Sequence, residues 1–184
     1  MKFVRVATLL ALSFFLAVAV AQDKGASKAG ASRGLTDPQI VGIVVAANQI
    51  DVDAGKLAKS KTKTKEVVAF ADRMITDHTA VNNQASALVK KLGVKAEESD
   101  VSHSLKAAAR QTAAKLQKLT AAEFDKAYAD NEVAYHQQVL DAIDKTLVPN
   151  TKNGELRDLL VKVWPAIAAH LDHAKMLQSS LGKK

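Results

Sequence analysis

Four segments of this sequence carry apolar residues at alternating steps of three and four, and that spacing permits little except helices packed on one another. The first segment sets Ile40, Val44, Ala47, Asp51, Ala54 and Ala58 on one stripe. The second carries Val67, Ala71, Met74, His78, Val81, Ala85, Leu88 and Leu92. A third has Ala129, Val133, His136, Leu140, Ile143 and Leu147, and a fourth runs from Leu156 through Leu160, Val163, Ile167, His170, Ala174 and Leu177 to Leu181. No run alternates with period two, and β-branched residues do not gather between turn residues, so the sequence offers no strand. A helix with one apolar stripe must cover it with other helices. Four such helices predict an all-α four-helix bundle.

Local signals punctuate these helices. Thr36, Asp37, Pro38 and Gln39 form a helix start, with a capping side chain and a proline in the first turn, where its missing N–H costs nothing. Gly93 suits the position just past the second helix. Residues 94–101 are polar, and Ser102 to Leu119 predict a shorter, weaker helix. Thr120 and Glu123 have capping-box spacing ahead of the third long helix. Pro149 to Gly154 reads as a break before the fourth. The connection between the second and third long helices is therefore long and partly helical, enough to cross the bundle once, as in ferritin.

Met1 to Ala21 reads as a cleaved secretory signal: Lys2 and Arg5 precede the apolar run Val6 to Val20, and small residues end it at Ala21. Residues 22–35, rich in Gly, Ser, Ala and Lys, read as a flexible linker to a bundle domain over 36–184. The expected location is the periplasm or another extracytoplasmic space. The absence of cysteine fits that compartment and excludes disulfides and thiol catalysis. The net charge of +7, which loss of Lys2 and Arg5 would take to +5, comes from lysines spread along the chain. With aromatics at 4%, a nucleic-acid groove is not expected.

The polar residues on the apolar stripes require an explanation. His78, His136 and His170 fall at mid-helix on three stripes, Glu132 lies one turn before His136, His173 three residues after His170, and Asp51 sits on the first stripe. Buried imidazoles and carboxylates need partners, either one another or an ion. One reading is a structural hydrogen-bonded network. The other is a metal site of His78, Glu132, His136, His170 and His173, suited to Zn, Cu or Ni, with Fe a further candidate. A di-iron centre would want four carboxylates and Glu-x-x-His pairs, and neither is present. Counting residues from the turns sets Glu132 level with His170 and His136 opposite Pro165. The same counting leaves Asp51 and His78 roughly 7–12 Å apart in depth, and so doubtful partners. Asp77 is expected off the stripe, as a supporting or surface group.

Other features read more plainly. Tyr128 and Tyr135 are expected in the core with hydrogen-bonded hydroxyls, Met74 as a gap-filler, and Trp164 and Pro165 as a kinked, packed segment. Lys56, Lys59, Lys61, Lys63 and Lys65 make a basic turn between the first two helices. They either complement a helix C-terminus or contact an anionic envelope surface. No nucleophile–base set, phosphate-cradling glycine loop or HExxH occurs, so no enzyme mechanism can be assembled.

Several of these motifs together resemble the bacterial exported proteins called the domain of unknown function 4142 family. They are Phe70-Ala71-Asp72-Arg73-Met74-Ile75-Thr76-Asp77-His78 with Asn82 or Asn83 following, Phe124-Asp125-Lys126-Ala127-Tyr128 with His136 eight residues later, and Pro165 followed by His170 and Ala174. The stretch Asp51 to Ala58 is similar to the family's first-helix motif, where Glu is more usual than Asp51. The match covers roughly Thr36 to Leu181. The resemblance implies a ferritin-like four-helix bundle outside the cytoplasm, with no assigned activity and a shared polar core at His78, His136 and His170. Two expectations of function follow. One is an envelope-stress or metal-handling protein whose core takes a transition metal. The other is a non-catalytic envelope module with structural histidines and a basic turn on anionic surfaces.

Overall fold

The computed structural model describes residues 34–183; the expected signal segment and the linker as far as Arg33 lie outside the described residues. Within them, α1 spans Asp37–Lys61, α2 Lys65–Leu92, α3 Asp100–Gln117 and α4 Ala121–Ala142. A π-helical turn, Ile143–Leu147, and a single turn α5, Val148–Asn150, continue α4, and α6 spans Gly154–Leu181. The described residues contain no strand, and no helix among them is long and apolar enough to cross a membrane.

The helix starts are set by their caps. The Thr36 side chain accepts from Gln39 N–H while Gln39 returns a carbonyl oxygen to Thr36 N–H. Thr120 and Glu123 form the same reciprocal arrangement at α4. Ser99 and Ser102 do so at α3. Gly93 ends α2 at φ 67°, a left-handed conformation that favours glycine.

The topology follows from contacts at the two ends. At one end, Asp37 at the start of α1 accepts from the backbone N–H groups of Lys152 and Asn153 just before α6, and Glu97 N–H reaches Pro38 O. At the other end, Lys61 donates to the carbonyls of Gln117 and Leu119, and Thr64 donates to Asp125. Thus α1 and α2 form one antiparallel pair, α4 and α6 another, and α3 returns the chain along α1 between them. With 18 residues, α3 covers about 27 Å. This is the ferritin-like bundle with one crossover. The return is tight at its start: a Cβ on Gly42 would stand 1.9 Å from Glu97 O, so only glycine lets the connector lie on α1.

Two details differ from the sequence reading. The expected break over Pro149 to Gly154 narrows to residues 151–153, because the chain stays helical through Asn150 and α6 begins at Gly154. Pro149 has no N–H to give and would crowd the carbonyl of Lys145, and the helix widens ahead of it, with Val148 N–H bonding Ile143 O. Trp164 and Pro165 do not form a packed segment: Pro165 is accommodated within α6, but both residues lie on its exposed side, Trp164 at 37%.

The core has two apolar parts. Ile40, Val44, Leu140, Leu147 and Leu160 belong to one; Ala58, Phe70, Met74, Phe124, Tyr128 and Leu177 belong to the other. Along each long helix the polar stripe residues fall between these parts. Asp51 lies between Val44 and Ala58, His78 between Met74 and Ala85, and Glu132 and His136 between Ala129 and Leu140. His170 lies just before Ala174. A polar layer divides the core.

Candidate metal centre

Four helices supply this layer. Asn48 and Asp51 come from α1, Asp77 and His78 from α2, Glu132 and His136 from α4, and His170 from α6. All but Asp77 are buried. Each histidine offers one ring nitrogen such that those of His78, His136 and His170 lie within 4.8 Å of one another. Asp51, Glu132 and His136 form a second, overlapping group within the same limit.

The hydrogen bonds fix the state of each ring. Asn48 gives its amide N–H to Val44 O at 2.7 Å, which leaves Asn48 Oδ1 to accept from His78 Nδ1–H, also at 2.7 Å. A backbone carbonyl can only accept, so His136 Nδ1–H donates to Glu132 O at 2.9 Å. Asp77 Oδ2 accepts from His170 Nε2–H at 2.8 Å. The other nitrogen of each ring, His78 Nε2, His136 Nε2 and His170 Nδ1, then carries a lone pair, and these three atoms are buried with no hydrogen-bond partner.

Electrostatics point the same way. Burial, together with the neighbouring rings, lowers His78 to about 3 and, with His170 beside it, His136 to about 4. Burial also lowers His170, although Asp77 works against it. The rings are therefore neutral at physiological pH. The carboxyls move in the opposite direction: burial and the facing Glu132 hold Asp51 well above the usual carboxylate range, and burial raises Glu132 to about 8. Both Glu132 oxygens accept no hydrogen bond. Without a cation beside them, the two carboxyls are driven to keep protons.

Most of the predicted site residues meet here. His78, His136 and His170 stand ring to ring, with centroids 5.1–5.7 Å apart, and Glu132 Oε2 is 3.5 Å from His136 Nδ1. His173 is in neither group; its ring lies edge-on to Phe70 with centroids 5.1 Å apart. Asp77 stands where expected, off the stripe and behind a histidine. The expected separation of Asp51 and His78 is overturned, since Asp51 Oδ2 lies 3.5 Å from His78 Nε2. Likewise His136 faces His170 and not Pro165. Both corrections have one cause: helical side chains lean toward their own N-terminus, so in an antiparallel pair one leans toward the shared turn and the other away from it. Residues several positions out of level by counting are thereby brought together.

Tyr135 donates to Ala47 O at 3.1 Å as expected, but the fully buried Tyr128 hydroxyl has no partner. Asn48 was missed by sequence reasoning. Its signal was present, since it lies four residues after Val44 and three before Asp51, on the same face. Of the basic turn, Lys59 pairs with Asp72, Lys56 lies 3.9 Å from Asp53, and Lys61 caps the carbonyl end of α3.

The donor set fits a transition-metal ion. Three neutral imidazole nitrogens with free lone pairs, each oriented by a bond at its other nitrogen, are the usual arrangement of metal-binding histidines. At metal–nitrogen lengths of about 2.0–2.1 Å, a movement of under about 1 Å per ring closes three nitrogens 4.8 Å apart onto one ion.

Fold and site together define a class: an antiparallel helical bundle with a single crossover and a histidine–carboxylate layer through its core. The sequence matches the family described as Domain of unknown function (DUF4142) over residues 20–177, and the chain belongs to that family. No curated protein matches it. A solved structure described as "CopM in the Cu(II)-bound form" is similar, with a TM-score of 0.61 and 15% identity, covering 80% of this chain and 98% of that one. At that identity the likeness bears on the fold.

Proposed function

We propose that this protein binds one transition-metal ion through His78 Nε2, His136 Nε2 and His170 Nδ1, and handles that metal outside the cytoplasm. The observation that carries the reading is three rings whose ligand nitrogens lie within 4.8 Å of one another, each ring with one buried nitrogen that takes part in no hydrogen bond, with Asp51 Oδ2 3.5 Å from that of His78. A purely structural network would pair such nitrogens with N–H or O–H groups, because an unsatisfied buried acceptor costs about 1–3 kcal/mol. Asp51 and Glu132 supply negative charge beside the three rings once they ionise. Neutral imidazoles favour Cu²⁺, Zn²⁺ or Ni²⁺ over harder ions. The Cu(II)-bound description of the structurally similar CopM adds weight to copper. Export through the N-terminal signal would suit metal sequestration or an envelope-stress role.

Elemental analysis tests this. The protein is equilibrated with mixed Mn, Fe, Co, Ni, Cu and Zn and then dialysed. One ion per chain should be retained by the parent and lost in His136→Ala and His170→Ala variants that keep the parent helical circular dichroism. Retention by neither parent nor variants would make the histidines structural. A contact of the basic turn with anionic envelope polymer is a separate proposal. It rests on the exposed Lys63 and Lys65, and salt-insensitive binding to anionic vesicles would refute it.

A further inference from the structure

A cavity of about 80 Å³ lies on one side of the polar layer, lined by residues of α1, α2, α3, α4, the π-helical turn and α6. Its wall is mainly aliphatic, from Val44, Val139, Ile143, Leu147, Leu160 and Ile167. At its polar side are Asn48, Asp51 and His78. Leu105 is half-buried and Gln138 exposed, so the cavity reaches the surface beside these two residues. Small side chains and backbone geometry leave the space open. Ala47 on α1 and Ala142 on α4 contribute only methyl groups to the lining. The π-helical turn carries two wall residues, Ile143 and Leu147, and such turns recur at functional sites.

The chemistry of the lining selects the occupant. Asn48 is already committed to Val44 O and His78, and the Tyr135 hydroxyl to Ala47 O, so the polar groups left to an occupant are His78 Nε2 and the Asp51 carboxyl at one side, against a wall that is otherwise aliphatic. The space exceeds the roughly 30 Å³ share of a water molecule, yet is smaller than the 150 Å³ apolar cavity known to stay dry and admit benzene or xenon. We infer that the cavity is a binding site for a small uncharged apolar molecule, of the size of a dissolved gas, held against Asp51 and His78. The inference goes beyond the proposed metal site and requires no bound ion.

Xenon is the probe, added under pressure to the metal-free full chain and followed by NMR. Saturable shifts are expected at the Val44 and Ile143 methyl groups and at the His78 imidazole. The Ala47→Leu variant on α1 and the Ala142→Leu variant on α4 add bulk to the lining from two different helices. Either one, provided it keeps the parent melting temperature and circular dichroism, should weaken xenon binding at least tenfold. Absence of a saturable shift in the parent overturns the inference, as do shifts that persist unweakened in the folded filled variants. Because no metal is present, failure of the metal reading leaves this result standing, and the reverse also holds.

Discussion

Asn48 decides which nitrogen of His78 carries its proton, and Asp77 does the same for His170. Neither residue belongs to the trio of rings, yet each leaves the other nitrogen of its ring with a free lone pair. An Asp77→Ala variant should therefore lose about 10–100-fold in metal affinity, measured by competition with a chelator, with little change in stability, because Asp77 is 39% exposed. Protonation sets the pH behaviour of the metal-free chain. Unfolded histidine takes a proton near 6.5, whereas folded His136 refuses one until about 4 and His78 until about 3. The unfolded state thus binds more protons in that window, and stability falls as pH drops below 6.5. Glu132 acts with the opposite sign: its folded carboxyl keeps a proton up to about 8 against a reference of 4.5, so its contribution is full below 4.5 and drains as pH rises toward 8. Asp51 shares that sign. Between about pH 4.5 and 6.5 the two signs largely offset, and above that only the carboxyls still act, so denaturation midpoints of the metal-free protein should stay nearly level up to about pH 6.5 and then decline toward pH 8. Glu132→Gln should flatten the decline. A midpoint that fell steadily between pH 4 and 6.5 would contradict the neutral buried rings.

At the scale of elements, much was legible, because capping and periodicity are local. Thr36, Thr120 and Gly93 mark real helix ends, and the apolar stripes correspond to the buried faces. The π-helical turn was not legible. Proline signals interruption, but whether the chain breaks or widens depends on what the following residues pack against, and Leu147 is held in the core. The crossover was legible as a length, while its seat on α1 was not, since Gly42 looks unremarkable among helical residues. Adding a methyl there drives a Cβ onto a backbone carbonyl, which has little freedom to yield. Gly42→Ala should cost about 1–3 kcal/mol, read from urea unfolding, and speed amide exchange across residues 94–99. Unchanged exchange there would show that the connector is not anchored through this contact.

For the whole molecule, the polar layer couples metal binding to the assembly of the bundle, since α2, α4 and α6 must be packed before three nitrogens converge. An ion that binds the folded state alone stabilises it by about 2.7 kcal/mol at a free concentration one hundred times Kd. The melting temperature should rise with Cu²⁺ or Zn²⁺, return on chelation, and stay unchanged in His136→Ala. The sequence by itself determined that four amphipathic helices must pack together, that one long connection crosses between them, and which histidines lie on buried faces. Those properties rest on spacings of three and four residues along one chain. The tertiary structure alone decided that Asp51 reaches His78, that Asn48 and Asp77 orient the rings, that His173 turns to Phe70, and that a cavity opens beside the layer. Each of these depends on register between helices. Turn length, the extra residue in the π-helical turn and the lean of side chains toward their own N-termini set that register, and no periodicity along a single helix encodes it.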